Sequence, residues 1–201
     1  SKHFDIPKDG CAKLKVSSIL EDLNASDAGA FGTLEVHIDI PKNVLEHIRP
    51  DKNFYFWDRF YIGYTSAQGQ PCFVHGVDKT SIYRHGNPDP VEWYPSPGGH
   101  EWAPEIPVNM AEYKKFSVIF INRTARNADL KLNLWDVDDR SLTWSAAIPP
   151  KGVHRFDLTL EDIAGLVPDE LRMRVEGMAT QYGRPVVFKE FPNGAISAMH
   201  C

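Results

Sequence analysis

Imidazole and carboxylate groups gather in one stretch of the chain. His75 and Asp78 lie in FVHGVD, His85 and His100 bracket most of HGNPDPVEWYPSPGGHEW, and Glu101 adjoins His100. Three ring nitrogens and a carboxylate would suit zinc or iron with an open coordination position. A hairpin returning between 75 and 85 would bring His75 and His85 together. No compact metal signature accompanies them: there is no HExxH, no HxH followed by Glu and no CxxC pair. His75, His85, His100 and Glu101 therefore define an alternative reading, a metal-dependent enzyme holding a divalent ion. The leading reading needs no cofactor.

Aromatic residues supply the second kind of chemistry. Trp57, Tyr61 and Tyr64 fall on or near one candidate strand, and Trp93, Tyr94 and Trp102 fall in the proline-rich segment. An aromatic face flanked by polar groups suits a sugar ring, whose C–H face stacks while its hydroxyls are hydrogen-bonded. Arg59, Asp58, Glu92 and Glu101 are placed to supply such bonds. Proline would keep the segment preorganised and so reduce the entropy lost on binding. The expected ligand site is Trp93, Tyr94 and Trp102 with Arg59 and Glu92.

Other constellations are weaker. DVDDR offers Asp136, Asp138 and Asp139, whose oxygens calcium would accept, but the rest of a calcium loop is missing and a tight charged turn is the simpler reading. No GxSxG elbow and no phosphate-binding glycine loop is present. Cys11, Cys72 and Cys201 are too few and too far apart for a disulfide framework or a cysteine zinc site.

The elements that would position these groups are strands. TLEVHIDI (33–40), DLKLNLWDV (129–137) and LRMRVEGMAT (171–180) alternate apolar and polar residues, the pattern of a half-buried antiparallel strand. FSVIFIN (116–122) and PVVF (185–188) are apolar runs of more central strands. Segments 54–66, 71–77 and 154–158 are further candidates. Turn chemistry punctuates them at 67–70, 136–140, 149–152 and 191–194, and Asn193-Gly194 predicts a closing hairpin. Short helices are expected at 41–48 and, with Thr159 as N-cap and Asp162 three residues on, at 158–166. The sum is an all-β fold of ten to twelve strands, an antiparallel, jelly-roll-like β-sandwich with one or two short helices in its connections. Residues 1–201 read as one enlarged domain. Its β-rich halves, about 12–84 and 116–201, are joined by the segment 85–107, packed as a rigid cover.

Composition bounds the function. The chain has 201 residues, 42% hydrophobic and 24% charged, with a net charge of −5. That is globular composition without the basic face of a nucleic-acid binder. No apolar run of 18 residues predicts a membrane span, and the first residues lack a signal-peptide core. A cytoplasmic setting is expected, with a cleaved secretory leader as the alternative.

The second half resembles the sensory-rhodopsin transducer family of small β-sandwich proteins. The likeness spans about residues 116–200 and is carried by Asn122, Leu130 to Asp136, Ile148-Pro149, Val153 to Phe156 and Pro185 to Val187. It implies a compact cytoplasmic sandwich, often oligomeric, without an established catalytic centre, and it transfers no functional residue. The expectation that results is a non-catalytic binding or assembly module for a small polar molecule or carbohydrate. The alternatives are the metal-dependent enzyme and a structural homo-oligomer subunit with aromatic residues at its contact.

Overall fold

The structure is a computed structural model. It describes residues 3–6, 11–24, 34, 41–51, 53–57, 61–75, 80–92, 105–122, 126–177 and 185–200, with the backbone alone for 53–57, 75, 80–84 and 87–92. The chain divides into two compact units, Ser1–Leu34 and Glu35–Cys201. In the first, α1 (Val16–Asp22) is a seven-residue helix without a side-chain cap, and Ile19 is its buried residue. The candidate strand at 33–40 lies outside the described residues, apart from the exposed Leu34.

The second unit is all-β. Two four-stranded antiparallel sheets form its centre. One runs β10 (Val153–Leu158), β7 (Lys115–Ile121), β12 (Val186–Glu190), β13 (Ile196–His200). The other runs β6 (Ile106–Val108), β11 (Leu171–Glu176), β8 (Ala128–Trp135), β9 (Ser141–Ile148). Period-2 patterning explains the pairing. Leu130, Leu132 and Leu134 of β8 and Leu171, Met173 and Val175 of β11 turn to one side. They meet Phe116, Val118, Phe120, Phe156, Leu158 and Val187 of the facing sheet in one core. Each large side chain buried there contributes about 1.5–3 kcal/mol over leaving it in water. The result is an antiparallel β-sandwich, and β7 and β12 are interior strands of their sheet.

Polar groups close the ends of the sandwich. The Nδ2 of the buried Asn122 donates to the carbonyls of Arg126 (2.6 Å), Ile148 (2.9 Å) and Pro149 (3.0 Å). It thereby ties the end of β7 to the β9–β10 turn. Gly177 sits at φ +120°, and a Cβ there would clash with the Asp129 carbonyl oxygen, so only glycine fits against β8. The Asn193-Gly194 hairpin joins β12 to β13 as expected, with Gly194 at φ +80°.

Three local expectations are corrected. Segment 158–166 makes the cap contact, Asp162 accepting from the Thr159 amide (2.7 Å) and hydroxyl (2.8 Å). The chain then runs through successive i→i+3 turns to Gly165 at φ +98°, and no helix forms. At 41–48 the helix shrinks to α2 (Lys42–Leu45), with Leu45 buried but Val44 exposed. The segment from His85 is not loop throughout. After a His85-Gly86 turn, Asn87–Glu92 forms β5, paired to β4 (Thr80–Arg84), which also pairs with β1 (Asn53–Trp57). β5 is an edge strand, and Pro88 and Pro90 occupy alternate positions without a registered partner, so their missing N–H groups cost no ladder bond.

Candidate functional site

A third layer covers part of the sandwich. β2 (Tyr61–Thr65) and β3 (Pro71–His75) form an antiparallel hairpin. Its turn is closed by Ser66, whose amide donates to the Gln70 carbonyl (2.9 Å) and whose hydroxyl accepts from the Gln70 amide (3.1 Å). Alternation gives the hairpin two unlike faces. Ile62, Tyr64, Cys72 and Val74 turn inward, and Val74 is buried.

The inward face rests on β12 and β13. Val187 points into the core, so its neighbour Phe188, paired with Ala198, points to the opposite side of that sheet. There the Phe188 ring meets the Tyr64 ring edge-on, centroids 4.5 Å apart. β3, which carries Cys72, packs close to β13, which carries Ala198. Burial pushes the Cys72 thiol upward, and the backbone bonds from Ala198 and Tyr64 only partly oppose that rise. A thiol raised above its ordinary value stays protonated at neutral pH. Burial, then Cys72, raises the Tyr64 hydroxyl in the same way.

The outward face carries the unusual feature. Tyr61 is 77% exposed and Phe73 is 65% exposed. They are diagonal neighbours, since Tyr61 pairs with His75 and Gly63 pairs with Phe73. Such neighbours stand roughly 7–8 Å apart, within reach of one extended ligand. The Phe73 ring lies across Gly63. A Cβ at Gly63 would be 2.8 Å from Phe73 Cε1 and 3.2 Å from Cδ1. The missing side chain lets the ring settle against the backbone while it remains open to solvent. Tyr61, Gly63, Thr65, Pro71 and Phe73 carry no charge, and the hydroxyls of Tyr61 and Thr65 can each donate or accept.

The residues singled out from sequence are distributed differently. His75 ends β3, opposite Tyr61 in register. β3 pairs with β2, whereas β4 and β5 belong to another sheet, so β3 and β4 are not paired as one hairpin. His85 instead donates from Nδ1 to the Ile48 carbonyl (2.7 Å), and Gly86 N–H bonds Leu45 O (3.2 Å), fastening the β4–β5 turn to the end of α2. Glu92 ends β5 and Trp57 ends β1. Arg59, Trp93, Tyr94, His100, Glu101 and Trp102 lie outside the described residues. No group of three His, Cys, Asp or Glu side chains is arranged to hold a metal ion among the described residues. Likewise, no helix among them is long and apolar enough to cross a membrane.

Asp136 has a structural occupation. Its Oδ1 accepts from the amides of Asp138 and Arg140 (3.0 Å each). Its Oδ2 accepts from Arg140 Nε (2.8 Å) and the Val167 amide (3.0 Å). Burial, the largest influence, pushes this carboxyl upward. Val167, the Arg140 guanidinium and the amides of Arg140 and Asp138 together outweigh it and hold the group below its ordinary value. DVDDR is thus a tight charged turn whose buried carboxylate is already saturated with donors.

Phe73 was not singled out in the sequence. PCFVH is apolar at adjacent positions, so its pattern does not say which face is buried. The signal was the register, which sets Phe73 opposite a glycine. No family model, no curated protein and no solved structure matches the chain.

Proposed function

We infer that the protein is a non-catalytic binding module for neutral carbohydrate and that the outward face of the β2–β3 hairpin takes the sugar. One observation carries the reading: Tyr61 and Phe73 expose their rings side by side, and Phe73 is held against Gly63. Aromatic surface left in water is costly unless something covers it, and each ring buries about 150–250 Å² when covered. The C–H face of a pyranose is an apolar plate rimmed with hydroxyls. It matches an aromatic face flanked by the Tyr61 and Thr65 hydroxyls. Tyr61, Gly63, Thr65, Pro71 and Phe73 on this face carry no charge, which favours a neutral sugar over an acidic one; His75, in register with Tyr61, ends the same face. The inward face rests on Phe188 and the hairpin packs close to β13, so the outward face is presented on a fixed support and loses little entropy on binding.

A glycan-array screen followed by calorimetry tests this. The expected outcome is binding to neutral oligosaccharides, weakened at least about tenfold by either Tyr61→Ala or Phe73→Ala, the loss of about 1.4 kcal/mol or more. Both residues are exposed, so unfolding temperatures should stay close to that of the parent chain. Binding untouched by both substitutions would place the ligand elsewhere.

A further inference from the structure

A second recess lies on the other sheet, where β6 meets β11. It is an open groove of about 410 Å³, lined among others by Val108, Tyr113, Val137, Asp169, Glu170 and Arg172. That volume lies within the range of small-molecule sites, roughly 300–1,000 Å³. Its walls are fixed by main-chain bonds. Leu171 pairs with Val108 and Arg172 with Pro107, and the Met110 amide donates to Pro168 O at 2.7 Å. The turn carrying Val137 is held through Asp136, which also binds the Val167 amide.

The groove carries both signs of charge, and they do not neutralise one another. Arg172 reaches out to Asp139 at a long 3.3 Å, a pair exposed on both sides and worth little. Asp169 and Glu170 form no ion pair with Arg172 or with any other cation among the described residues. Val137, in the same lining, leaves 55% of its surface in water. Apolar side chains lining one groove with a weakly held cation and two carboxylates are the complement of a small dipolar molecule with an apolar body.

We propose that this groove binds a free zwitterion of the apolar amino-acid type. Its carboxylate lies against the Arg172 guanidinium, its ammonium against Asp169 and Glu170, and its side chain against Val137, Val108 and Tyr113. The site is independent of the aromatic face on β2–β3. Charge-assisted bonds of this kind give specificity because a ligand lacking one group leaves its partner unmet.

The test is calorimetry at pH 7 on the full chain with three probes: L-leucine, 4-methylpentanoate, which lacks the ammonium, and 3-methylbutylamine, which lacks the carboxylate. L-Leucine is expected to bind, and each truncated probe at least about tenfold more weakly. Arg172→Gln should weaken leucine about tenfold and leave the amine unchanged, while Glu170→Gln combined with Asp169→Asn should do the reverse, leaving the carboxylate probe unchanged. All three positions are exposed, so unfolding curves should be unaltered and folding is not in question. No binding of leucine, equal binding of the three probes, or indifference to Arg172→Gln would each overturn the proposal.

Discussion

Arg140 closes over Asp136 at the tip of the β8–β9 hairpin: its Nε lies 2.8 Å and its Nη2 2.7 Å from Oδ2 of a carboxylate with no exposed surface. The same carboxylate binds the amide of Val167, so one side chain joins the hairpin tip to the segment leading into β11.

Acid should therefore loosen the second unit. The Asp136 and Asp162 carboxyls lie below their ordinary 3.8 in the native chain, and Glu190, beside Lys114, lies below its ordinary 4.5. As pH falls through the ordinary values, the unfolded chain takes up these protons before the native one. Stability is complete above that range and declines as pH drops toward the lower native values. Asp136→Asn should melt at a lower temperature at pH 7, because an amide presents N–H groups to donors. Its melting temperature should also fall less steeply than the parent's between about pH 5 and pH 2. Differential scanning calorimetry across that range checks both. Parallel curves would show that Asp136 does not carry the acid dependence.

Asn122 should tolerate no replacement. Its Nδ2 satisfies three carbonyl oxygens, that of Ile148 in a buried place and those of Arg126 and Pro149 in part-buried ones. Asn122→Ala would strand them at a cost of about 1–3 kcal/mol for each buried acceptor left without a partner or water. Asn122→Asp should be worse, since it sets a carboxylate against those same oxygens. Urea unfolding of the two variants gives the order, and an aspartate variant as stable as the alanine one would contradict it.

Gly177→Ala should be among the most damaging single-methyl changes. It adds the strain of a positive φ, about 1–3 kcal/mol, to a clash with the Asp129 carbonyl. Gly165→Ala serves as the control, because its φ of +98° is nearer to that of Gly177 and nothing lies within 4 Å of the added methyl. The difference between the two unfolding free energies isolates the close approach of the chain to β8.

Much of the sandwich was legible in the sequence because its strands bury one face only. Leu130, Leu132 and Leu134, and Leu171, Met173 and Val175, alternate with charged or polar residues, and period 2 admits one arrangement of them. Legibility failed where a local rule yielded to context. Proline at 88 and 90 argued against a strand, yet an edge strand makes no use of those amides. The Thr159–Asp162 cap was correctly placed, but the glycine at 165 let the chain turn away before a helix formed. Helix α1 offered no capping signal at Lys15. The third layer was hidden because Cys72, Phe73 and Val74 are all apolar, and only packing on Phe188 decides which of them face inward.

Gly63 offers a test of the aromatic face that leaves both rings in the protein. A methyl group there would lie 2.8 Å from Cε1 of Phe73, so the ring must lift from the backbone. Gly63→Ala should weaken sugar binding several-fold with little change in stability, since an exposed ring can swing into solvent. Calorimetric titration of this variant beside the parent chain measures the effect.

The most direct measurement is saturation-transfer difference NMR on the parent chain with a panel of neutral di- and trisaccharides. Saturation of the aromatic protons should pass to the C–H face of at least one sugar and disappear in Phe73→Ala. Absence of transfer to every sugar, or transfer that persists undiminished when both Tyr61 and Phe73 are replaced by alanine, would contradict a carbohydrate site on the β2–β3 hairpin.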